Sequence, residues 1–368
     1  MVTPVPTPPV PQAGLRPTLL SWLSTPRHAL TSGEVNRAEA LAWQHRARAR
    51  LAALLAVPFD PVPLDPRALE TVQLDGYRRT MLAFDTAPGT SAIAWWVVPD
   101  GVDPAEQPGG TPALIATPGH GIGARDLLAM DAVGHPRPEG EGYQQDYALR
   151  AVRLGVPTLV VEPLGFGVRR DHAAGTPDDD ASECAAGSLL ASMLGTSLPA
   201  LRVNDLRRAV DLLPALGADP DRIGLVGISG GGQLALWTGA LDPRIAVVGV
   251  SCYLNTFATS VLAMEHCACN AAPGLAVELD MPDLAALVAP RPLLVEAGLR
   301  DPIFPIQGTR AALDVVRRAY AALDATDLLL EDVFDGGHAW SGRLLPELLA
   351  HLQPRDTRPR PSLPERLA

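Results

Sequence analysis

The sequence predicts an α/β fold: a mainly parallel central sheet with helices on both faces, preceded by an N-terminal helical extension. Two observations carry this. From residue 113 to residue 333, short and continuously apolar runs alternate with helix-period segments, and strands that read as unbroken apolar runs are buried on both faces of a parallel sheet. In addition, the apolar run 223–226 passes directly through Gly227-Ile228-Ser229-Gly230-Gly231 into the helical stretch 232–240, a strand-turn-helix junction built around a serine. A length of 368 residues suits one large α/β domain with additions.

Taken in order, residues 1–17 carry prolines too densely for helix or strand and read as an extended arm. Residues 18–73 form the helical extension. Within it, 30–56 is rich in Ala, Arg and Leu, with Leu41, Trp43, Leu51 and Leu55 at roughly helical spacing. The main domain, 74–352, opens with an antiparallel pair, 80–84 and 92–98, parted by the turn formers Ala87-Pro88-Gly89. Strand 113–116, helix 147–154 (closed by Gly155), strand 158–161, helix 201–213, strand 223–226, helix 232–240 and strand 245–250 follow. An irregular insertion, 251–291, precedes strands 292–297 and 328–333 with helix 309–322 between them, and 353–368, rich in Pro and Arg, reads as a loose tail.

Composition excludes several chemistries. With 47% apolar and 19% charged residues the chain belongs among globular rather than disordered proteins. Its net charge is -11 and all 30 basic residues are arginine. That balance disfavours nucleic acid as a partner, and the missing lysine removes Schiff-base and P-loop chemistry. The four cysteines, Cys184, Cys252, Cys267 and Cys269, follow no disulfide-scaffold spacing. No secretory-type leader and no apolar run of membrane-spanning length is visible, so a cytoplasmic protein with no membrane partner is expected. Homo-oligomers are left open.

A serine hydroxyl needs a base to take its proton, and that base needs a carboxylate to fix its tautomer. In open α/β sheets functional groups gather beyond the carboxyl ends of the strands. Asp301 follows strand 292–297 in Gly298-Leu299-Arg300-Asp301-Pro302, and His338 follows strand 328–333 in Gly336-Gly337-His338. The order Ser229, Asp301, His338 is that of strand-turn-helix serine hydrolases. Taken singly, Asp301 could cap a turn beside Pro302 and His338 could be a surface residue. His28, His45, His135, His172 and His351 follow no late strand. His266 adjoins Cys267 and Cys269, but H-C-x-C has no distant pair of ligands in view, so packing is the reading and no metal is expected. Two N-H donors should face the developing oxyanion: that of Gly230, after the serine, and that of His120 in Pro118-Gly119-His120-Gly121.

These residues together resemble the α/β-hydrolase superfamily, and within it the bacterial dienelactone-hydrolase and acetyl-xylan-esterase-like serine esterases. The resemblance covers about residues 75 to 352. It implies a Ser229 nucleophile, a His338 general base and acid, an orienting Asp301, an acyl-enzyme intermediate and no cofactor. The chain departs from the pattern at three places: Ser229 stands where dienelactone hydrolases use cysteine, Pro118-Gly119 replaces His-Gly, and Glu162 replaces aspartate in Glu162-Pro163-Leu164-Gly165-Phe166-Gly167, a structural turn near the pocket. The expected activity is hydrolysis of a small-molecule carboxylic ester. Two alternatives are a peptidase or amidase of the prolyl-oligopeptidase-like type, for which too few residues precede 74 to build a propeller, and a non-catalytic binding scaffold. The insertion is expected to shape substrate choice through Tyr253 and Phe257, with Trp340 beside His338. Arg169 and Arg170 read as a solvated pair or as a site for an acidic substrate.

Overall fold

A computed structural model describes residues 15–21, 36–171 and 182–353. Most of the proline-rich arm, nearly all of the tail, His28 and His172 lie outside the described residues. Nine strands form one sheet: β1 (Arg67–Leu74), β2 (Tyr77–Ala87), β3 (Thr90–Pro99), β4 (Thr111–Thr117), β5 (Thr158–Val161), β6 (Ala218–Ile228), β7 (Ile245–Ser251), β8 (Leu293–Gly298) and β9 (Leu329–Phe334). Their order is β1-β2-β3-β5-β4-β6-β7-β8-β9. The pairings from β1 to β5 across β2 and β3 are antiparallel, and every pairing from β5 through β9 is parallel.

Alternation along each parallel strand sends successive side chains to opposite faces. On β6, Leu225 points into one core and Val226 and Ile228 into the other. The first core is closed by α2 (Arg37–Leu54), α5 (Leu198–Leu212), α6 (Gly230–Leu241), α8 (Met281–Ala286) and α9 (Ile306–Ala322). The second is closed by α3 (Tyr147–Arg153) and α10 (Leu345–Ala350). Both faces are therefore covered, as the unbroken apolar strands require. Among the described residues no single helix is long and apolar enough to cross a membrane.

The extension differs from the expectation at both of its ends. Residues 67–74 are a strand, not part of a helical segment. Leu74 pairs with Tyr77 across Asp75-Gly76, a two-residue hairpin turn with Gly76 at φ 85°. This edge strand is mostly exposed, so its apolar content is too low to signal a buried strand. At the other end, α1 (Leu15–Leu20) begins three residues early: 15–17 are helical where the arm was expected to be extended, and 18–20 fall in the helical extension as expected. The helix α2 is present, started by a capping box between Asn36 and Glu39. Its buried face carries Ala40, Trp43, Ala47 and Leu51, whereas Leu41 is exposed. From that face Gln44 donates to the carbonyls of Ala286 and Ala289 (2.7 Å each), and Arg48 to those of Ala240 (3.0 Å) and Leu287 (2.8 Å). These are carbonyls at the ends of α8 and α6 that have no helical donor of their own.

A helix the sequence pattern did not announce, α4 (Cys184–Met193), precedes α5. The insertion is more ordered than expected. It contains α7 (Leu275–Glu278) and α8, with Met281, Leu284 and Ala285 fully buried against α9 and α6.

Candidate active site

The turn after β6 holds Ser229 at φ 56° and ψ −122°, a conformation that costs a residue with a side chain on the order of 1–3 kcal/mol. Surrounding structure enforces it. The Ser229 N-H donates to Ser251 O on β7 (2.9 Å), and its carbonyl accepts from Gln233 N in α6 (2.9 Å). A Cβ on Gly227 would lie 2.2 Å from Gly231 O, and one on Gly231 would lie 2.0 Å from Thr117 O. Strand, turn and helix can approach this closely only because both positions are glycine.

Asp301 and His338, on the loops after β8 and β9, meet. His338 Nδ1 and Asp301 Oδ2 are 2.8 Å apart. The other carboxylate oxygen accepts the N-H groups of Ile303 (2.8 Å) and Phe304 (3.0 Å), which fixes the turn. Burial pushes the Asp301 carboxyl up, but the hydrogen bond and charge of His338, with these two N-H groups, outweigh it and hold it below the ordinary carboxylate range. The loops are tied by Leu299 N to Phe334 O (2.9 Å) and Arg300 N to Gly336 O (2.8 Å). The rings of Tyr143 (centroids 5.6 Å) and Phe304 (5.9 Å) both stack on His338. The Tyr143 hydroxyl and Ser229 Cβ both lie against Gly119, 2.2 Å and 3.0 Å from where a side chain there would begin, so the ring stacked on the histidine reaches toward the serine.

The loop after β4 faces the same point. Gly230 is the first residue of α6, and its N-H has no acceptor within the helix. The His120 nitrogen lies 4.0 Å from where a Gly230 side chain would begin. Its peptide is held from both sides: Tyr143 Oη donates to His120 O (2.6 Å), and Gly119 N donates to Gln144 Oε1 (2.7 Å). Farther along, Glu162 Oε1 accepts Ala124 N (2.9 Å) and Oε2 accepts Val168 N (3.4 Å), so the carboxylate ties this loop to the exit of β5. Complete burial pushes the Glu162 carboxyl up to about 7. The structural role read for its segment agrees with this placement.

The three expected substrate contacts are corrected. Tyr253 is 1%, Trp340 2% and Phe257 5% exposed. Tyr253 packs on Phe304 (5.2 Å), and Trp340 stacks on Tyr147 (4.2 Å), whose hydroxyl donates to Thr117 O (2.7 Å). These rings turn inward beneath the site because burying an aromatic body stabilises more than exposing it. Neither reading of Arg169 holds: its side chain is buried and pairs with Asp205 at 2.5 Å. Cys252 lies beside Asp301 and His338. Burial pushes its thiol up to about 12, and it donates to Ala339 O (3.4 Å), which makes it a neutral packing residue.

The cysteine reading changes as well. His266 accepts Cys267 N at Nδ1 (3.0 Å) and packs edge-on against Phe304 (5.6 Å). The histidine that meets the sulfurs is His120, and the distant partners missing from the sequence pattern are His120 and Cys184. Tyr143, Phe304 and Cys184 are the site neighbours that sequence reasoning missed. Each lies in a connection whose local pattern carries no catalytic signal.

Residues 14–330 match the model of the Abhydrolase family. "Putative hydrolase YtaP" of Bacillus subtilis is 28% identical over 232 residues, 61% of this chain and 72% of that protein. The solved structure of "a putative acetyl xylan esterase" from Bacteroides fragilis superposes with a TM-score of 0.72 at 18% identity, covering 88% of this chain and 82% of that one. A glucuronoyl esterase from Solibacter usitatus gives 0.61 at 15% identity, covering 89% and 99%. These structural likenesses show a shared fold. With the sheet order, the serine turn and the family match together, the chain has the α/β-hydrolase fold and belongs to the Abhydrolase family.

Proposed function

We propose that the chain is a serine esterase that hydrolyses a small-molecule carboxylic ester through an acyl-enzyme on Ser229. The observation that carries this reading is the 2.8 Å Asp301–His338 pair on the loops after β8 and β9, at the same end of the parallel strands as a serine held at a positive φ after β6. Asp301 keeps the proton of the neutral imidazole on Nδ1, which leaves the Nε2 lone pair as base. Ser229 Oγ bonds to the ester carbonyl carbon while its proton passes to Nε2. The oxyanion accepts from the N-H groups of Gly230 and His120. The bond to the leaving oxygen then breaks and takes the Nε2 proton with it. Water repeats the sequence on the acyl-enzyme and releases the acid. That the aligned solved structures bear esterase names supports ester over amide as the substrate.

The test is hydrolysis of p-nitrophenyl acetate by the parent chain and by Ser229→Ala, with labelling by a fluorophosphonate probe. Loss of the nucleophile should lower kcat/KM by roughly 10⁴-fold or more and abolish labelling. Equal rates, or a label on another residue, would overturn the proposal.

A further inference from the structure

The structure assigns a second site beside the first: we infer that His120, Cys184, Cys267 and Cys269 bind one structural zinc ion. Their ligand atoms all lie within 4.8 Å of one another. His120 Nε2 is 3.1 Å from Cys267 Sγ, 3.4 Å from Cys269 Sγ and 3.6 Å from Cys184 Sγ, and the sulfurs of Cys267 and Cys269 are 3.1 Å apart. Zinc bonds of about 2.3 Å to sulfur and 2.0–2.1 Å to nitrogen, arranged tetrahedrally, place ligand atoms roughly 3.5–3.8 Å from each other. The four spacings run from 3.1 to 3.6 Å, three of them below that range, so closing the site on an ion opens these pairs by about 0.7 Å at most. Three cysteines and one histidine make a complete set for a closed zinc site, with no position left for a reacting group.

The surroundings fit an ion more than a packing contact. Three thiolates around a zinc(II) ion leave net negative charge, and a buried cation stands ready: Arg202 Nη2 is 3.4 Å from Cys184 Sγ. Its guanidinium is oriented by Leu164 O (2.6 Å from Nη2) and lies over the Phe166 ring at 4.5 Å. Phe166, Ala191 and Leu198 wrap the cluster in an apolar shell. A disulfide between Cys267 and Cys269 would use only two of the four groups and leave the aim of His120, Cys184 and Arg202 unexplained.

The ligands come from three excursions above the sheet: the loop after β4, the start of α4 and the insertion after β7. Zinc would fasten these to one another. It would also fix the His120 tautomer, because coordination through Nε2 puts the ring proton on Nδ1, and Nδ1 lies 3.1 Å from where a Gly230 side chain would begin. The ion's role is positional: it holds the loop that carries the His120 N-H.

The test uses the full chain expressed in zinc-replete medium. Elemental analysis should find about one zinc per chain, falling to roughly a tenth of that in Cys184→Ser and in Cys267→Ser, while Cys252→Ser retains it. Should the serine variants fail to fold, titration of metal-depleted parent chain with cobalt(II) decides: an intense thiolate-to-cobalt band in the near ultraviolet, with the visible bands of tetrahedral cobalt, is expected. Parent chain without zinc and without that cobalt spectrum would overturn the assignment. So would zinc retained by both folded serine variants, or a Cys267–Cys269 disulfide in the chain purified without reductant.

Discussion

Asparagine at position 301 separates the two tasks of the Asp301 carboxylate. One oxygen accepts the Ile303 and Phe304 N-H groups, the other faces His338 Nδ1. In Asp301→Asn the carbonyl oxygen stays with the two backbone donors, which turns the amide NH₂ toward His338. The imidazole must then offer a lone pair at Nδ1 and carry its proton on Nε2, where it can no longer accept from Ser229. Restoring the active tautomer forfeits a charge-assisted hydrogen bond, about 3 kcal/mol, and opposes two buried donors, about 2 kcal/mol more. At about 1.4 kcal/mol per decade the sum is a loss of roughly 10³- to 10⁴-fold in kcat/KM, with KM nearly unchanged. The assay is initial-rate hydrolysis of p-nitrophenyl acetate, with thermal unfolding to show that the variant folds. A folded variant losing less than about tenfold would refute Asp301 as the group that sets the tautomer. The sign of the stability change is also set. The depressed Asp301 carboxyl stabilises the folded chain above the ordinary unfolded value, and this contribution fades as pH falls through the folded one. The variant should therefore be less stable than the parent near neutrality and approach it in acid.

Two further outcomes follow from close approaches in the loops. A Cβ on Gly119 would lie 2.2 Å from Tyr143 Oη and 2.9 Å from Ile228 O, so Gly119→Ala must push the hydroxyl off His120 O. A displacement of about 1 Å predicts roughly a hundredfold loss of kcat/KM. Partial recovery in the Gly119→Ala, Tyr143→Phe double variant would trace the loss to that hydroxyl, whereas unchanged activity in Gly119→Ala alone would refute it. Glu162, raised to about 7 by burial, keeps its proton in the folded chain at a pH where the unfolded chain has lost it. Its contribution is fully present below the unfolded value near 4.5 and is lost as pH rises toward 7, on the order of 3 kcal/mol. Chemical denaturation across that window should show a shallower decline in Glu162→Gln, and equal slopes in the two proteins would count against a neutral Glu162.

The parallel half of the sheet was legible because each strand is an apolar run bounded by turn residues. For 158–161 the expected and observed bounds coincide, and 223–226 and 245–250 differ from β6 and β7 only in length. Ser229, Asp301 and His338 were legible for a related reason: they sit at strand exits, and strand exits can be counted along the chain. Strand β1 was not, since an exposed edge strand has no apolar run, although Asp75-Gly76 was an available hairpin signal. Nor was the direction of a side chain. Trp340 stands two residues after His338 and Tyr253 just past the exit of β7, yet both point into the cores. The meeting of His120, Cys184, Cys267 and Cys269 depends on three loops folding over one another, and no local pattern encodes that.

The two rings stacked on His338 bear on time as well as place. A half-turn of the imidazole about its Cβ–Cγ bond would put Cδ2 where Nδ1 now faces Asp301 and Cε1 where Nε2 stands, and it sweeps the ring out of its plane against the stacked rings of Tyr143 and Phe304. That motion must also break the hydrogen bond to Asp301. The ring is thus kept in one orientation over successive turnovers: the nitrogen that receives a proton in one step returns it in the next, and the opposite nitrogen stays out of the exchange.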